Sequence, residues 1–244
     1  IYKLPSMDIA MKIAVVTPYY QETTEQLVRC LSSVAKQTYN NITHILVADG
    51  YPRRFENFQN LEQIHLPYSH SDAGATPRAI GALSAFSRGY DAVAFLDADN
   101  WYYPKHIESM VNTMTAFNAD AVVATRVIHA LDGTEMYVDR VESNGANMVD
   151  TNCMFLRKTV SHYMGFWVTT PQYKMVSDRV FWQTCVSNGI KAVRCDEPTV
   201  AYASKWAWHY QFAGVRIPDD TVWIEQDREG NFKTIKHKDR STIQ

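Results

Sequence analysis

The sequence contains no uninterrupted apolar run that approaches the about 18 residues needed for a membrane-spanning helix. Its N-terminal residues also lack the apolar core of a secretory signal peptide. We therefore expect a protein without a transmembrane segment. Peripheral association with a membrane stays open.

Cysteine is scarce and unclustered. No Cys-x-x-Cys pair and no Cys/His group with ligand spacing occurs, so neither a zinc site nor a disulfide framework is expected. The four cysteines lie in separate apolar neighbourhoods, at Cys30, Cys153, Cys185 and Cys195. Buried free thiols are typical of a reducing compartment, and we expect a cytoplasmic protein.

An excess of positive charge is absent, and so are three common motifs of nucleotide-binding proteins and hydrolases. The 24 basic and 26 acidic residues leave a formal net charge of −2, so no global field attracts nucleic acid.

There is no Gly-x-Gly-x-x-Gly after the first predicted strand, no Gly-x4-Gly-Lys-Ser/Thr loop and no Gly-x-Ser-x-Gly elbow. These absences argue against a dinucleotide oxidoreductase, a P-loop NTPase and an α/β-hydrolase.

Strands and helices alternate in the first half of the sequence. Short apolar runs predict buried strands at residues 12–17, 45–48, 92–96 and 121–125, with a weaker strand at 63–66. Pro18 is expected to end the first strand. Helical patterns follow the capping-box pair Thr23 and Gln26, then Pro77 and Pro104, and place Leu83 and Phe117 among the apolar positions. The alternation predicts an α/β fold with a mainly parallel, Rossmann-like sheet and helices on both faces.

The second half predicts a smaller, mixed β region. Asp132-Gly133 marks a turn, and strands are expected at 152–156, 192–194 and 200–203, with a helix at 175–187. We interpret residues 1–11 as an N-terminal extension that precedes a start near Met11. Residues 12–226 then form a single domain, and residues 227–244 form a polar C-terminal tail.

Three polar segments follow predicted parallel strands, where ligands of open α/β sheets bind. They are Thr17-Pro18-Tyr19, Asp49-Gly50 and Asp97-Ala98-Asp99. Two aspartates at alternate positions of extended backbone point the same way and repel, unless a cation lies between them. Mg²⁺ or Mn²⁺ with phosphate oxygens would meet that demand. The alternative is a solvated or helix-capping pair of aspartates.

Four further residues have a structural and a functional interpretation each. Asp49 suits an Asx turn or a hydrogen bond to a base or ribose. Arg78 begins a helix, where the helix dipole disfavours a cation, so it is either solvated or bound to an anion. Asp178 suits the first turn of a helix or a general base. His209 suits a packed position or a metal or phosphate contact. Aromatic residues such as Trp206 and Trp208 fill cores or stack on sugars.

Together these positions resemble the family 2 glycosyltransferases of the GT-A fold, from about residue 12 to residue 210. The resemblance is carried by the segments AVVTPYY at 14–20, CLSSV at 30–34, QTY at 37–39 and ILVADG at 45–50, by Arg78 with Gly81, and by FLDADN at 95–100. It implies a nucleotide-binding half at 12–100 and an acceptor and catalytic half at 101–226.

The resemblance also implies roles for single residues. Thr17, Pro18, Tyr19 and Asp49 would hold the nucleoside. Arg78 would approach the nucleotide near Asp97, and Asp97 would lie by the ribose and Arg78. Asp99 would bind Mn²⁺ or Mg²⁺ on the diphosphate, with His209 as a looser match to a second metal or phosphate ligand. Asp178 would be the base of an inverting reaction, although Ser177-Asp178 stands where relatives often have two acidic residues.

The expected function is therefore metal-dependent transfer of a sugar from a nucleotide-diphosphate sugar, with a UDP-sugar favoured, to a saccharide or lipid-linked acceptor. The Gln-x-x-Arg-Trp signature of processive synthases is missing, which favours transfer of a single sugar. A nucleotidyltransferase and a non-catalytic nucleotide-sugar-binding module remain alternatives.

Overall fold

The computed structural model describes residues 10–146, 148–168, 176–226 and 232–240. Residues 1–9 of the predicted extension, the start of the helix predicted from Met175, and residues 227–231 and 241–244 of the predicted tail lie outside the described residues. The described strands form one nine-stranded sheet and a separate two-stranded sheet.

The first half supplies a parallel block of the large sheet. Its strands are β1 (Ile13–Tyr19), β2 (Ile42–Asp49), β3 (Leu61–Leu66) and β4 (Ala92–Phe95). They lie in the order β3-β2-β1-β4, and every neighbouring pair is parallel. This confirms the α/β fold and the buried strands predicted from the apolar runs. The carboxyl ends of β1, β2 and β4 therefore meet at one edge.

Pro18 does not end the first strand, because β1 continues to Tyr19 and pairs with β2 along its whole length. The neighbouring strand β4 pairs with β1 only as far as Val16. Beyond Val16, β1 has a neighbouring strand on one side only. Pro18, which has no N–H group to donate, is tolerated there for that reason. The end of β1 thus remains open on one side, where a ligand can approach.

Three helices accompany the parallel block: α1 (Thr24–Ala35), α2 (Ala75–Ser87) and α3 (His106–Phe117). The capping box of Thr23 and Gln26 is present at α1. Helix α2 begins two residues before Pro77, which lies in the first turn, where its missing N–H needs no partner. In α2, Gly81 packs closely against β1. A Cβ added at this position would lie 2.5 Å from Val16 Cγ1, so there is no room for a side chain.

The second half adds mixed strands and completes the sheet. These are β5 (Trp101–Tyr102), β6 (Ala121–His129), β7 (Glu135–Asp139), β8 (Met154–Arg157) and β9 (Ala192–Ala203). Strand β8 is antiparallel to both β4 and β6, whereas β6 and β9 are parallel. The two strands predicted at 192–194 and 200–203 are one strand, with its register to β6 shifted between them.

Shorter elements surround this half. They are 3-10 segments at Thr151–Cys153 and Lys158–Trp167, the helices α4 (Ser177–Ser187) and α5 (Ala207–Ala213), the antiparallel hairpin of β10 (Val222–Gln226) and β11 (Phe232–Lys236), and the one-turn helix α6 (His237–Arg240). Part of the segment that we interpreted as a polar tail is therefore a strand paired with β10.

The core lies around the large sheet, and all four cysteines are buried free thiols, as expected. Two predicted apolar positions are wrong: Leu83 is 45% exposed and Phe117 is 57% exposed. The buried face of α2 holds Ala79, Ala82 and the predicted Ala85 and Phe86, and Leu83 lies outside it. Phe117 is the last residue of α3. None of the described helices is long and apolar enough to cross a membrane.

Candidate functional site

A cavity of about 440 Å³ lies where β1, β2 and β4 end. We call it the first cavity. Six of the residues singled out in the sequence line it, namely Pro18, Tyr19, Asp49, Arg78, Asp97 and Asp99. Parallel strands end at the same edge, so residues far apart in the sequence meet there, as the strand-end rule predicts.

A second cavity of about 440 Å³ adjoins the first. The two cavities share Ala73, Asp97, Asp99 and Lys205 as lining residues. Asp178 and His209 line the second cavity only. The structure therefore places the Asp97-Ala98-Asp99 segment at the junction of the two cavities. The predicted nucleotide-binding residues line the first cavity, and the predicted base lines the second.

Asp97 is held by two partners. Its carboxylate accepts a short hydrogen bond from Arg78, and its other oxygen accepts one from Asn152 Nδ2 at 3.0 Å. Asn152 Oδ1 also accepts the backbone N–H of Asp97, at 2.6 Å. Arg78 is 6% exposed and donates a further bond to the Ala73 carbonyl at 2.9 Å, while its buried Nε has no partner among the described residues. The Asp97 carboxylate is thus paired with Arg78, and Arg78 can still donate a hydrogen bond beside the first cavity.

Asp99 differs from Asp97 in its surroundings. Burial, the neighbouring charge of Asp97 and that of Glu22 raise the pKa of Asp99 to about 7, against a smaller opposing effect of Lys205. No hydrogen bond to its carboxylate from another side chain is found among the described residues. A half-buried carboxylate in this situation would be stabilised by a cation.

The chemistry of these donors fits a Mg²⁺ or Mn²⁺ ion that takes most of its ligands from a substrate. In the described parts of the chain, no three Asp, Glu, His or Cys side chains converge on one metal position. Magnesium is commonly held by one or two carboxylates together with phosphate oxygens and water. Asp99 at the junction of the two cavities can provide such a carboxylate.

Asp49 is fixed by the loop that follows β3. It accepts hydrogen bonds from the His70 backbone N–H at 3.0 Å, from His70 Nδ1 at 2.7 Å and from Ser69 Oγ at 3.2 Å. Gly50 has φ of +86°, and a Cβ there would lie 2.5 Å from the Ser69 backbone nitrogen. Gly50 thus permits the close approach that brings Ser69 and His70 to Asp49.

Thr17 does not line either cavity. Its side chain is fully buried, and its hydroxyl lies 2.8 Å from His44 Nε2. Alternation along β1 places Thr17 and Tyr19 on the same face, but Tyr19 reaches the first cavity and bonds to the Arg53 backbone N–H at 2.7 Å. The Thr17 side chain therefore supports the strand end and has no direct access to a ligand in the cavity.

Asp178 lies in the first turn of α4 and lines the second cavity. Its Oδ1 accepts the Arg179 backbone N–H at 2.8 Å. Burial and the charge of Asp150 raise the pKa of Asp178 to about 6, against the smaller opposing effects of the Arg179 and Arg78 charges. A carboxylate with this pKa can take up a proton near neutral pH more readily than an ordinary aspartate.

His209 lies on α5 and is 1% exposed. Its Nδ1 lies 2.6 Å from Ser204 Oγ, and its Nε2 lies 2.9 Å from Glu142 Oε2. Both ring nitrogens are therefore engaged within the protein. A role as metal ligand would require one of these two bonds to be broken.

The aromatic candidates separate into two groups. Trp206 and Trp208 line the second cavity, and their rings stack with centroids 4.8 Å apart. Trp167 is 2% exposed and stacks on Phe181 in the core. Trp206 and Trp208 can therefore contact a ligand in the second cavity, whereas the core takes up the Trp167 ring.

Several lining residues carry no sequence signal of their own. Asp150 and Glu142 line the second cavity from loops, and Arg126 lines it from the middle of an apolar strand. Asn152 lines neither cavity and supports Asp97 from a 3-10 segment. A buried arginine inside the apolar strand β6 is the one anomaly that could have indicated them, because such a charge requires carboxylate partners. Those partners are found only in the folded chain.

Comparison with known proteins identifies the relatives of this arrangement. The model of the family described as Glycosyl transferase family 2 matches residues 14–184. Glycosyltransferase GlyA of Streptococcus pneumoniae is 28% identical over 116 residues, which cover 46% of this chain and 16% of that protein. The succinoglycan biosynthesis protein ExoW of Rhizobium meliloti is 34% identical over 124 residues, 47% of this chain and 37% of ExoW.

Among solved structures, Staphylococcus aureus TarS residues 1–349 in complex with UDP has a TM-score of 0.63 at 14% identity. The match covers 83% of this chain and 63% of the TarS chain. At this identity the likeness shows a shared fold. The chain spans much less than two thirds of GlyA and of ExoW, so it corresponds to only a part of each.

Proposed function

The chain belongs to glycosyltransferase family 2, and we propose that it transfers a sugar from a nucleoside-diphosphate sugar to an acceptor hydroxyl. The observation that carries this proposal is the junction of the two cavities at Asp97 and Asp99. A donor in the first cavity would present its sugar at that junction. An acceptor in the second cavity would meet it there, beside Asp178.

The donor is proposed to be a UDP-sugar. TarS, which shares the fold, has been solved with UDP and with UDP-GlcNAc. In this chain, Tyr19 and Asp49 lie at the strand ends of the first cavity, where a nucleoside would bind. Arg78 would lie beside the nucleotide, with Asp97 fixing its guanidinium.

Asp99 is the residue proposed to hold Mn²⁺ or Mg²⁺. Such a cation, when bound, neutralises the charge that grows on a leaving diphosphate. Lys205, which lines both cavities, adds a positive charge at the same junction. The preference for a cation there agrees with the raised pKa of Asp99, which burial and Asp97 cause.

Asp178 is the proposed base. It would take the proton of the acceptor hydroxyl while the hydroxyl oxygen bonds to the anomeric carbon. The bond from that carbon to the diphosphate oxygen breaks, and the nucleoside diphosphate leaves with its electron pair. Attack from the side opposite the leaving group inverts the anomeric configuration. The acceptor is a saccharide or lipid-linked, and the lack of a Gln-x-x-Arg-Trp motif favours single-sugar transfer.

The test is calorimetric titration with UDP, GDP, CDP and dTDP, each with and without MnCl₂, followed by assays of sugar release and transfer with the matching nucleotide sugars. We expect UDP to bind most tightly and manganese to increase its affinity. In Asp99→Asn the increase with manganese should be lost. Asp220→Asn, the same change at an exposed position, is the matched control.

Three results would argue against the proposal. If Asp99→Asn kept the full effect of manganese, the metal assignment would be wrong. Tight UDP binding without sugar release or transfer would indicate a binding module. Release of diphosphate from a nucleoside triphosphate in the presence of a sugar phosphate would indicate a nucleotidyltransferase.

A further inference from the structure

Glu142 has an unusual position on the wall of the second cavity. It lies in the loop after β7, and three side chains donate hydrogen bonds to it. Arg126 Nη2 and His209 Nε2 lie 2.6 and 2.9 Å from Oε2, and Trp208 Nε1 lies 3.0 Å from Oε1. The Glu142 side chain nevertheless remains 37% exposed. It is therefore fixed in place and still accessible from the cavity.

Arg126 is the centre of this arrangement. Its guanidinium is 2% exposed and pairs with Asp139 at 2.8 Å, Asp150 at 2.8 Å and Glu142 at 2.6 Å. Its Cζ lies over the Tyr202 ring, 4.6 Å from the centroid. A fully buried arginine held on several sides has little freedom to move, so it fixes the carboxylates that it contacts.

The carboxylates of Asp139 and Glu142 differ in remaining hydrogen-bond capacity. A carboxylate has about four acceptor directions. Asp139 uses them on Arg126 and on the backbone N–H groups of residues 141, 142 and 143, and it is 3% exposed. In Glu142, Oε2 accepts two bonds and Oε1 accepts one, so Oε1 keeps an acceptor direction. Asp139 is structural, whereas Glu142 can still accept a bond from a ligand.

The second cavity favours an uncharged ligand with hydroxyl groups. Five carboxylates line this cavity, whereas its positive side chains are Arg126, Arg179 and Lys205. The charge of Arg126 is already balanced by its three carboxylate partners. An anionic ligand would be repelled at the Glu142 wall. Trp208, which donates to Glu142, also offers an aromatic surface of the kind that packs on a pyranose ring.

We infer that Glu142 binds a hydroxyl group of a neutral pyranose acceptor in the second cavity, with Arg126 as the residue that positions it. The inference rests on the proposed function and names the acceptor class for that site. Glu142 orients the sugar, and Asp178 remains the base.

The experiment uses the full chain loaded with UDP and MgCl₂. Saturation-transfer NMR measures binding of methyl β-glucoside, methyl β-galactoside and methyl β-N-acetylglucosaminide. We expect at least one glycoside to bind, and Glu142→Gln to weaken its binding roughly 10- to 100-fold, as for a hydrogen bond to a charged group. Affinity for UDP should stay unchanged. Glu135→Gln, the same change at an exposed position of β7, should bind the glycoside as the wild type does.

Arg126→Lys should weaken glycoside binding as well, because lysine cannot reach three carboxylates from one planar group. If that variant does not fold, Glu142→Gln still decides. With a transferable donor, Glu142→Gln should raise KM for the acceptor and leave kcat near the wild-type value, whereas a structural defect would lower both UDP affinity and Tm.

Three results would overturn the inference, provided that UDP binds the wild type. The first is unchanged glycoside affinity in Glu142→Gln, and the second is a parallel loss of UDP affinity in that variant. The third is the failure of every glycoside to bind the UDP-loaded wild type. Failure of UDP itself to bind the wild type would instead count against the proposed function.

Discussion

Replacing Asp178 with asparagine removes a carboxylate that is held in an unfavourable environment. Burial and the nearby charge of Asp150 raise its pKa from the ordinary 3.8 to about 6. That difference corresponds to roughly 3 kcal/mol if it is expressed fully in stability. Because the side chain is partly open to the second cavity, solvent screening reduces the expected effect to about 1–2 kcal/mol.

The sign of the effect depends on pH. With a raised pKa, the folded protein holds the Asp178 proton more tightly than the unfolded chain does. The resulting stabilisation is complete below pH 3.8 and is lost as the pH rises through about 6. Asparagine does not titrate, so Asp178→Asn should be more stable than the wild type at pH 8. The gain in Tm should be about 2–8 °C for a protein of this size.

The assay is differential scanning calorimetry of the ligand-free protein at pH 5 and pH 8, with Asp220→Asn as an exposed control. The gain of Asp178→Asn should shrink at pH 5, where the wild-type carboxyl is mostly protonated. Sugar transfer should be largely lost in the same variant, while UDP binding persists. A variant that is less stable than the wild type at pH 8 would refute the reasoning, because the carboxylate would then be stabilised by its surroundings.

Two further changes probe the strand-end site and its support. Arg78→Lys should lower UDP affinity roughly tenfold in calorimetry, because lysine cannot donate hydrogen bonds to both Asp97 and the Ala73 carbonyl. Arg88→Lys, at the exposed end of the same helix, is the control and should leave UDP affinity unchanged. Gly81→Ala should lower stability by about 1–3 kcal/mol in urea unfolding, since its Cβ would lie 2.5 Å from Val16 Cγ1. Gly165→Ala meets no atom within 4 Å and should be neutral, and equal effects of the two would contradict the packing argument.

The elements that the sequence predicts well are those with a strong local period. The short apolar runs at β1, β2 and β4 predict buried strands, which the structure confirms, and the capping box of Thr23 and Gln26 starts α1 as expected. Elements without such a period were missed. Helix α5 and the hairpin of β10 and β11 are short and rich in polar or aromatic residues, so their local patterns do not distinguish them from loops.

The strand ends of the first cavity could also be predicted, because strands that alternate with helices run parallel in one sheet. Parallel strands place Tyr19, Asp49 and Asp97 at one edge of that sheet. The prediction was less reliable for single side chains. Thr17 lies on the right strand, but His44 and the core take up its hydroxyl.

The Asp97-Ala98-Asp99 segment illustrates which properties the sequence determines and which depend on the tertiary structure. By itself the sequence determined that two carboxylates follow a buried strand in an α/β sheet, because periodicity and burial are properties of neighbouring residues. The family resemblance placed Asp97 beside Arg78, and the structure shows that pair. Only the tertiary structure decided that Asn152 also binds Asp97, and that Asp99 lies at the junction of two cavities with no side-chain hydrogen bond from the described residues to its carboxylate. The same holds for Arg126 and Glu142, since an ion pair depends on distances between segments that meet only when the chain folds.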